Sequence, residues 1–267
     1  MPASLMLVGA GKMGGAMLAG WLDAGLDPAA TTVMDPFPSE GMTRLCAERG
    51  VALNPADPSP AAVLVLAIKP QGLDAAAPDL DRLIGPGTLL VSVLAGKTVA
   101  NLRGRLPSAR SVVRAMPNLP ASIGHGATGA FANEAVEAGQ RASAEVLLSA
   151  AGMTAWLDDE ALIDAVTAVS GSGPAYVFLM VETLTEAGIA AGLPAEVAGR
   201  LARATVAGSG ALLEADPTEA GALRQAVTSP GGTTAAALAV LMAEDGMAPL
   251  MRRAVAAAQH RAGELAG

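Results

Sequence analysis

Apolar positions in the first part of the chain fall into short runs separated by stretches of helical spacing. Leu5–Val8, Thr31–Met34, Val63–Ile68, Leu89–Val93 and Ser111–Arg114 are compact runs, and between them apolar residues return every three or four positions. That alternation predicts strands joined by crossover helices around a parallel sheet. Ala62–Ile68 is apolar throughout, as a central strand covered on both faces should be, and Lys69-Pro70 stops it. Gly126–Phe131 and Met153–Trp156 are weaker runs, expected at the edge of the same sheet. From Asp158 onward the strand runs give way to long stretches rich in Ala, Leu and Val without a hairpin signal, which predicts an all-α region. The expected organisation is an α/β domain over residues 1–157 followed by a helical domain over 158–267.

One helix of that second region is apolar on every face. Tyr176, Leu179, Met180, Thr183, Leu184 and Ala187 recur at helical spacing, while Val177, Phe178 and Val181 fill the remaining sides. A small helical domain cannot cover such a helix alone. With Gly188 and Gly192 behind it, allowing close helix approach, the pattern predicts a subunit interface and a homo-oligomer.

Composition narrows the function classes. Hydrophobic residues make up 52% of the 267 and charged residues 16%, so the chain can bury enough apolar surface to fold. Lys+Arg 17 against Asp+Glu 25 gives a net charge of -8 with no basic run, which argues against nucleic acid or an anionic membrane as partner. A lone cysteine, Cys46, allows no internal disulfide, and His125 and His260 are too few for a zinc site, so no metal is expected. The start, Met1-Pro2-Ala3-Ser4, lacks the positive charge of a signal peptide, and the uncharged stretch Ala165–Val181 is broken by Ser170-Gly171-Ser172-Gly173-Pro174. A cytoplasmic protein that spans no membrane is the expectation.

Chemistry is concentrated in two turns. Gly9-Ala10-Gly11-Lys12-Met13-Gly14 has the form G-x-G-x-x-G, directly follows a predicted strand and opens a helix, the context in which glycines let a pyrophosphate approach the backbone and a helix N-terminus. This predicts a Rossmann-like dinucleotide-binding sheet. Asp35, about twenty residues further on at the end of the second predicted strand, stands where a carboxylate accepts hydrogen bonds from the ribose hydroxyls of NAD. It equally stands where Asp-Pro opens a turn. The first reading leans toward NADH over NADPH. The second turn, Ser229-Pro230-Gly231-Gly232-Thr233-Thr234, precedes an alanine-rich helix, so its N–H groups can hold a substrate carboxylate; ordinary helix capping by Thr233 or Thr234 is the alternative. Lysine occurs only at Lys12, Lys69 and Lys97, leaving the helical half without a lysine acid or base. An imine, which needs little such help to accept hydride, suits that inventory better than an alcohol.

These residues together resemble the pyrroline-5-carboxylate reductases, which reduce a cyclic imino acid to proline with NAD(P)H. The resemblance spans nearly the whole chain through Gly9–Gly14, Ala67-Ile68-Lys69-Pro70-Gln71, Arg114-Ala115-Met116-Pro117-Asn118, Val169–Tyr176 and Ser229–Thr234. It implies that Gly9, Gly11, Lys12, Met13, Gly14 and Asp35 hold the dinucleotide, that Ala67, Lys69 and Pro70 border its nicotinamide half, and that Asn118 lies near it. It further implies that Ser170–Pro174 face the substrate, and that Ser229, Gly231, Gly232, Thr233 and Thr234 bind the imino acid, with Thr234 hydrogen-bonding the imine nitrogen as the catalytic residue. A homodimer or an assembly of dimers is implied as well. Asp35 departs from the small polar or basic residue common at its position, and Gln225 stands where an acidic residue is more usual. The rival readings are reduction of another imine or a keto acid, and a regulatory dinucleotide-binding protein without turnover.

Overall fold

The computed structural model describes residues 1–266. The elements run β1 (Leu5–Val8), α1 (Lys12–Asp23), β2 (Thr31–Met34), α2 (Glu40–Arg49), β3 (Ala52–Leu53), β4 (Val63–Leu66), α3 (Leu73–Arg82), β5 (Leu89–Ser92), α4 (Val99–Arg105), β6 (Ser111–Met116), β7 (Gly126–Ala132), α5 (Ala138–Ser149) and β8 (Gly152–Leu157). They continue as α6 (Leu162–Val166), a π-wound segment Thr167–Gly171, α7 (Gly173–Ala190), α8 (Ala195–Ala215), α9 (Ala220–Ala226), α10 (Thr233–Leu241) and α11 (Met247–Ala266). The chain forms two compact units, one of residues 1–172 together with the segment from Ala258 onward, the other Gly173–Ala257.

The first unit is built on one eight-stranded sheet in the order β3-β2-β1-β4-β5-β6-β7-β8. Strands β1 to β6 are parallel, so their connections must cross over, and the helices this requires cover both faces. On one face α1, α2 and α5 enclose Leu5, Leu7, Val33, Val63, Val65 and Val113; on the other α3 and α4 enclose Met6, Leu64, Leu66, Leu90 and Val112. Trp21 of α1 is wholly buried, and its indole N–H donates to Leu147 O of α5 at 2.7 Å, which satisfies the one polar atom of the largest core side chain. Only β7 departs from the parallel expectation: it runs antiparallel to β6, because the nine residues 117–125 hold a single 3-10 turn and no crossover helix.

The expected division at 157 falls earlier than the one the structure makes. Residues 158–172 pack on the sheet through specific polar contacts: the Arg114 guanidinium bonds Glu160 at 3.1 Å and pairs with Asp164 at 3.6 Å, and Asn118 donates to Ser170 O. The C-terminal end of α11 belongs to the first unit too, with the Leu265 carbonyl against Gly96, so tightly that a Cβ on Gly96 would sit 2.8 Å from it.

The second unit is helical, as the pattern predicts. Helices α7 and α8 pair closely where Gly188 faces Ala198, and among its described residues only Ala198 and Ala202 are buried apolar groups. Phe178, Met180, Leu184, Leu212, Leu241 and Val240, the last 72% exposed, remain uncovered in the single chain. The stretch Leu162–Ala190 is long and apolar enough to cross a membrane by composition, yet an unburied helix of this kind is also what a subunit interface needs.

Candidate active site

Strand order reverses between β1 and β4, whose C-terminal ends therefore flank the crevice in which open α/β sheets bind ligands. The glycine-rich turn sits there. Gly9 has φ +89°, and a Cβ on it would meet Ala67 C and O at 2.8 Å, so this position excludes any side chain. A Cβ on Gly14 would overlap the Gly9 carbonyl oxygen; its absence brings α1 against the turn. Gly11, by contrast, faces open space, so its lack of a side chain leaves the backbone bare to a ligand. The first bond of α1 runs from Gly15 N–H to Gly11 O, and the N–H groups of Lys12, Met13 and Gly14 make no bond among the described residues. A bare backbone, a helix N-terminus and exposed Lys12 form a seat that fits a dinucleotide pyrophosphate.

Asp35 stands beside this seat and opens the turn that Asp-Pro announces. Its Oδ2 accepts from Ala10 N–H at 2.7 Å, so the carboxylate reaches the glycine-rich turn, while Oδ1 accepts from Phe37 N–H at 2.8 Å in an Asx turn. Sequence reasoning missed the residue that steadies it. Asn54, at φ +48°, accepts from Asp35 N–H through Oδ1 (2.8 Å) and donates to Asp35 O through Nδ2 (2.7 Å). Asn54-Pro55 marks a turn, and asparagine tolerates the left-handed region better than other side chains, but neither fact names Asp35 as its partner. Ala67, Lys69 and Pro70 follow β4 at the same edge, with Ala67 N–H bonded to Val8 O at 2.8 Å and Lys69 exposed. Asn118 lies past the end of β6 but is buried, with its amide turned to the protein.

In the second unit Ser229–Thr234 form a turn that opens α10. Gly231 takes φ +69°, and Gly232 is the N-cap residue, with its N–H on Ser229 O at 3.0 Å and no side chain capping the helix. The first helical bond is Ala236 N–H to Gly232 O. The N–H groups of Thr233, Thr234 and Ala235 thus point out of the helix end without an acceptor among the described residues, and neither threonine hydroxyl is spent on capping. The capping alternative for Thr233 and Thr234 is not what the turn does.

Comparison with known proteins bears directly on these two turns. A profile of pyrroline-5-carboxylate reductase dimerisation regions matches residues 160–265, and one of coenzyme F420-dependent NADP oxidoreductases matches residues 4–96. The pyrroline-5-carboxylate reductase of Pseudomonas aeruginosa is 41% identical over 98% of this chain and 96% of its own length. The chain belongs to the pyrroline-5-carboxylate reductase family. The enzyme of that name from Haemophilus influenzae is 37% identical over 90% of the chain and 89% of its own. Among solved structures, a pyrroline-5-carboxylate reductase from Coxiella burnetii matches with a TM-score of 0.92 at 34% identity, each chain covered in full. The Plasmodium falciparum pyrroline carboxylate reductase with NADP bound shares the fold, with a TM-score of 0.80 at 24% identity over 99% of this chain and 98% of that one. Membership in a pyrroline-5-carboxylate reductase family whose dimerisation profile covers α7 to α10 accounts for the uncovered apolar surface of those helices. The chain is a homo-oligomer that takes a small-molecule substrate.

Cys46, between α2 and the sheet, takes no part; burial pushes its thiol above the ordinary range, so it stays protonated and inert.

Proposed function

We propose that this chain reduces 1-pyrroline-5-carboxylate to L-proline, with NADH or NADPH supplying the hydride, as a cytoplasmic enzyme with no nucleic-acid or membrane partner. The observation that carries the reading is the free N-terminus of α10, in a chain whose other turn fits a dinucleotide. The three unbonded N–H groups at Thr233–Ala235 and the positive end of the helix dipole hold the substrate carboxylate. Thr234, on the first turn and with its hydroxyl unspent on the described residues, donates to the imine nitrogen. As the C=N carbon gains the hydride, electron density moves to the nitrogen, which takes a proton from solvent water to become the ring amine of proline. A hydrogen bond aimed at that nitrogen strengthens along the reaction coordinate and so lowers the barrier. Lysine is absent from residues 158–267, and none is needed: holding the imino acid in position provides most of the rate. On the cofactor side, Gly9, Gly11, Lys12, Met13 and Gly14 seat the pyrophosphate, while Ala67, Lys69 and Pro70 border the nicotinamide half.

The deciding assay follows absorbance of NADH and of NADPH on adding pyrroline-5-carboxylate. Oxidation that depends on the imino acid is expected with at least one of them; dinucleotide binding without turnover would leave a regulatory protein, and turnover only with another cyclic imine would move the substrate class. The same assay tests Asp35. Its carboxylate keeps lone pairs for ribose hydroxyls, and its charge opposes a 2'-phosphate. NADH is therefore the expected preference, and Asp35→Ser should shift the ratio of kcat/KM values toward NADPH by about tenfold, the size of a single charge effect of about 1.4 kcal/mol. An unchanged ratio would remove Asp35 from cofactor discrimination.

A further inference from the structure

One face of β6 meets the segment before α7 at three successive positions. Side chains alternate along a strand, so Arg114, Met116 and, past the strand end, Asn118 share a side. Arg114, 4% exposed, bonds Glu160 and pairs with Asp164 across the start of α6, and the same Glu160 oxygen accepts Val99 N–H at 2.7 Å. The Met116 methyl lies under Gly171, where a Cβ would come within 2.9 Å of it. Asn118, 8% exposed, donates through Nδ2 to Ser170 O at 3.1 Å and accepts Ala127 N–H through Oδ1 at 2.9 Å.

What these contacts hold is not an ordinary helix. Thr167–Gly171 is π-wound, and Ser172 N–H bonds Thr167 O, five residues back, at 2.8 Å. In an α-helix the carbonyl of residue 170 accepts the N–H of residue 174. Residue 174 is proline and has none. The carbonyl that proline leaves unserved is the one the Asn118 amide reaches.

We propose that Asn118 is a positioning residue: it supplies the donor Pro174 lacks, selects the π register of Thr167–Gly171, and so fixes how Ser170–Gly173 lead into α7, without itself contacting the dinucleotide. A π turn inside a helix is a local departure that persists only where its surroundings over-determine it, and such turns concentrate at functional sites. The inference rests on the proposed reductase reading only for its kinetic readout; the clamp itself is tested without turnover.

The experiment is a double-mutant cycle of Asn118→Ala and Pro174→Ala, with Asn118→Asp as a third variant that keeps the acceptor toward Ala127 and loses the donor toward Ser170. Thermal midpoint, KM for pyrroline-5-carboxylate and calorimetric affinity for NADH are measured on each. Loss of both side-chain hydrogen bonds, to Ser170 O and from Ala127 N–H, should lower the midpoint of Asn118→Ala by about 3–8 °C. The substrate KM should rise about tenfold, while NADH affinity stays within about twofold. Combined with Pro174→Ala, which restores an N–H that can reach Ser170 O, Asn118→Ala should cost measurably less than it does alone, the remainder being the Ala127 N–H it leaves unpaired. Additive midpoints would overturn the clamp, and so would a loss of NADH affinity with substrate KM unchanged, the pattern of a cofactor contact. Asn118→Asp should follow Asn118→Ala; wild-type behaviour in that variant would also sink the proposal. If the wild-type protein fails to turn over pyrroline-5-carboxylate, the reductase reading falls, while the coupling of midpoints still decides the role of Asn118.

Discussion

Thr234→Val should lower kcat for pyrroline-5-carboxylate by roughly ten- to a thousandfold, the range for losing one donor that bonds more strongly in the transition state. Valine keeps the branched shape and removes only the hydroxyl. Because Gly232 is the N-cap residue and no side chain caps α10, the thermal midpoint should stay within about 2 °C, as expected for a change of a few tenths of a kcal/mol. NADH affinity should not change, since the glycine-rich turn lies in the other unit. A variant that melts early but turns over normally would make the residue a structural one, and a variant with normal kcat and normal midpoint would remove it from the chemistry altogether.

Met180→Glu should break the assembly. Met180 is 39% exposed in the single chain, and Phe178, Leu184 and Ile189 on the same helix are uncovered as well, so the surface they make is the one expected to be covered by another copy. A carboxylate placed there has no cation of α7 to pair with, since that helix carries no lysine or arginine. Burying it unpaired costs several kcal/mol by order of magnitude, enough to shift a micromolar sample to monomer or aggregate. Light scattering is the measurement, with the wild-type protein expected at a multiple of the chain mass. A monomeric wild type, or a variant whose mass is unchanged, would place the interface elsewhere. Dinucleotide affinity should survive in any monomer obtained, because the first unit has its own core.

The contrast between what was legible in the sequence and what was not follows the range of the interactions. Strands such as Leu5–Val8 and Val63–Leu66 are legible because a strand buried on both faces must be apolar throughout. β3, only Ala52–Leu53, is too short to leave a pattern, and the direction of β7 depends on the length of its connection and not on its own residues. The same division holds at the site. The glycine-rich turn is local, so spacing reveals it. Asn54 acting on Asp35 and Arg114 acting on Glu160 and Asp164 join residues far apart in the chain, and nothing in a linear pattern marks them as partners. The π winding at Thr167–Gly171 is hidden for a related reason: Ser-Gly-Ser-Gly-Pro announces a break in a helix but not the register in which the break is held.

Because the chain leaves the sheet unit at Ser172 and returns to it at Ala258, the helical unit is topologically an insertion, and both chain ends belong to its host. Trimming the C-terminus therefore does not shave the helical unit; it removes a piece of the host, where Ala262 is buried and the Leu265 carbonyl seats against Gly96. It also means that a polypeptide cut off near residue 172 is an incomplete nucleotide-binding module.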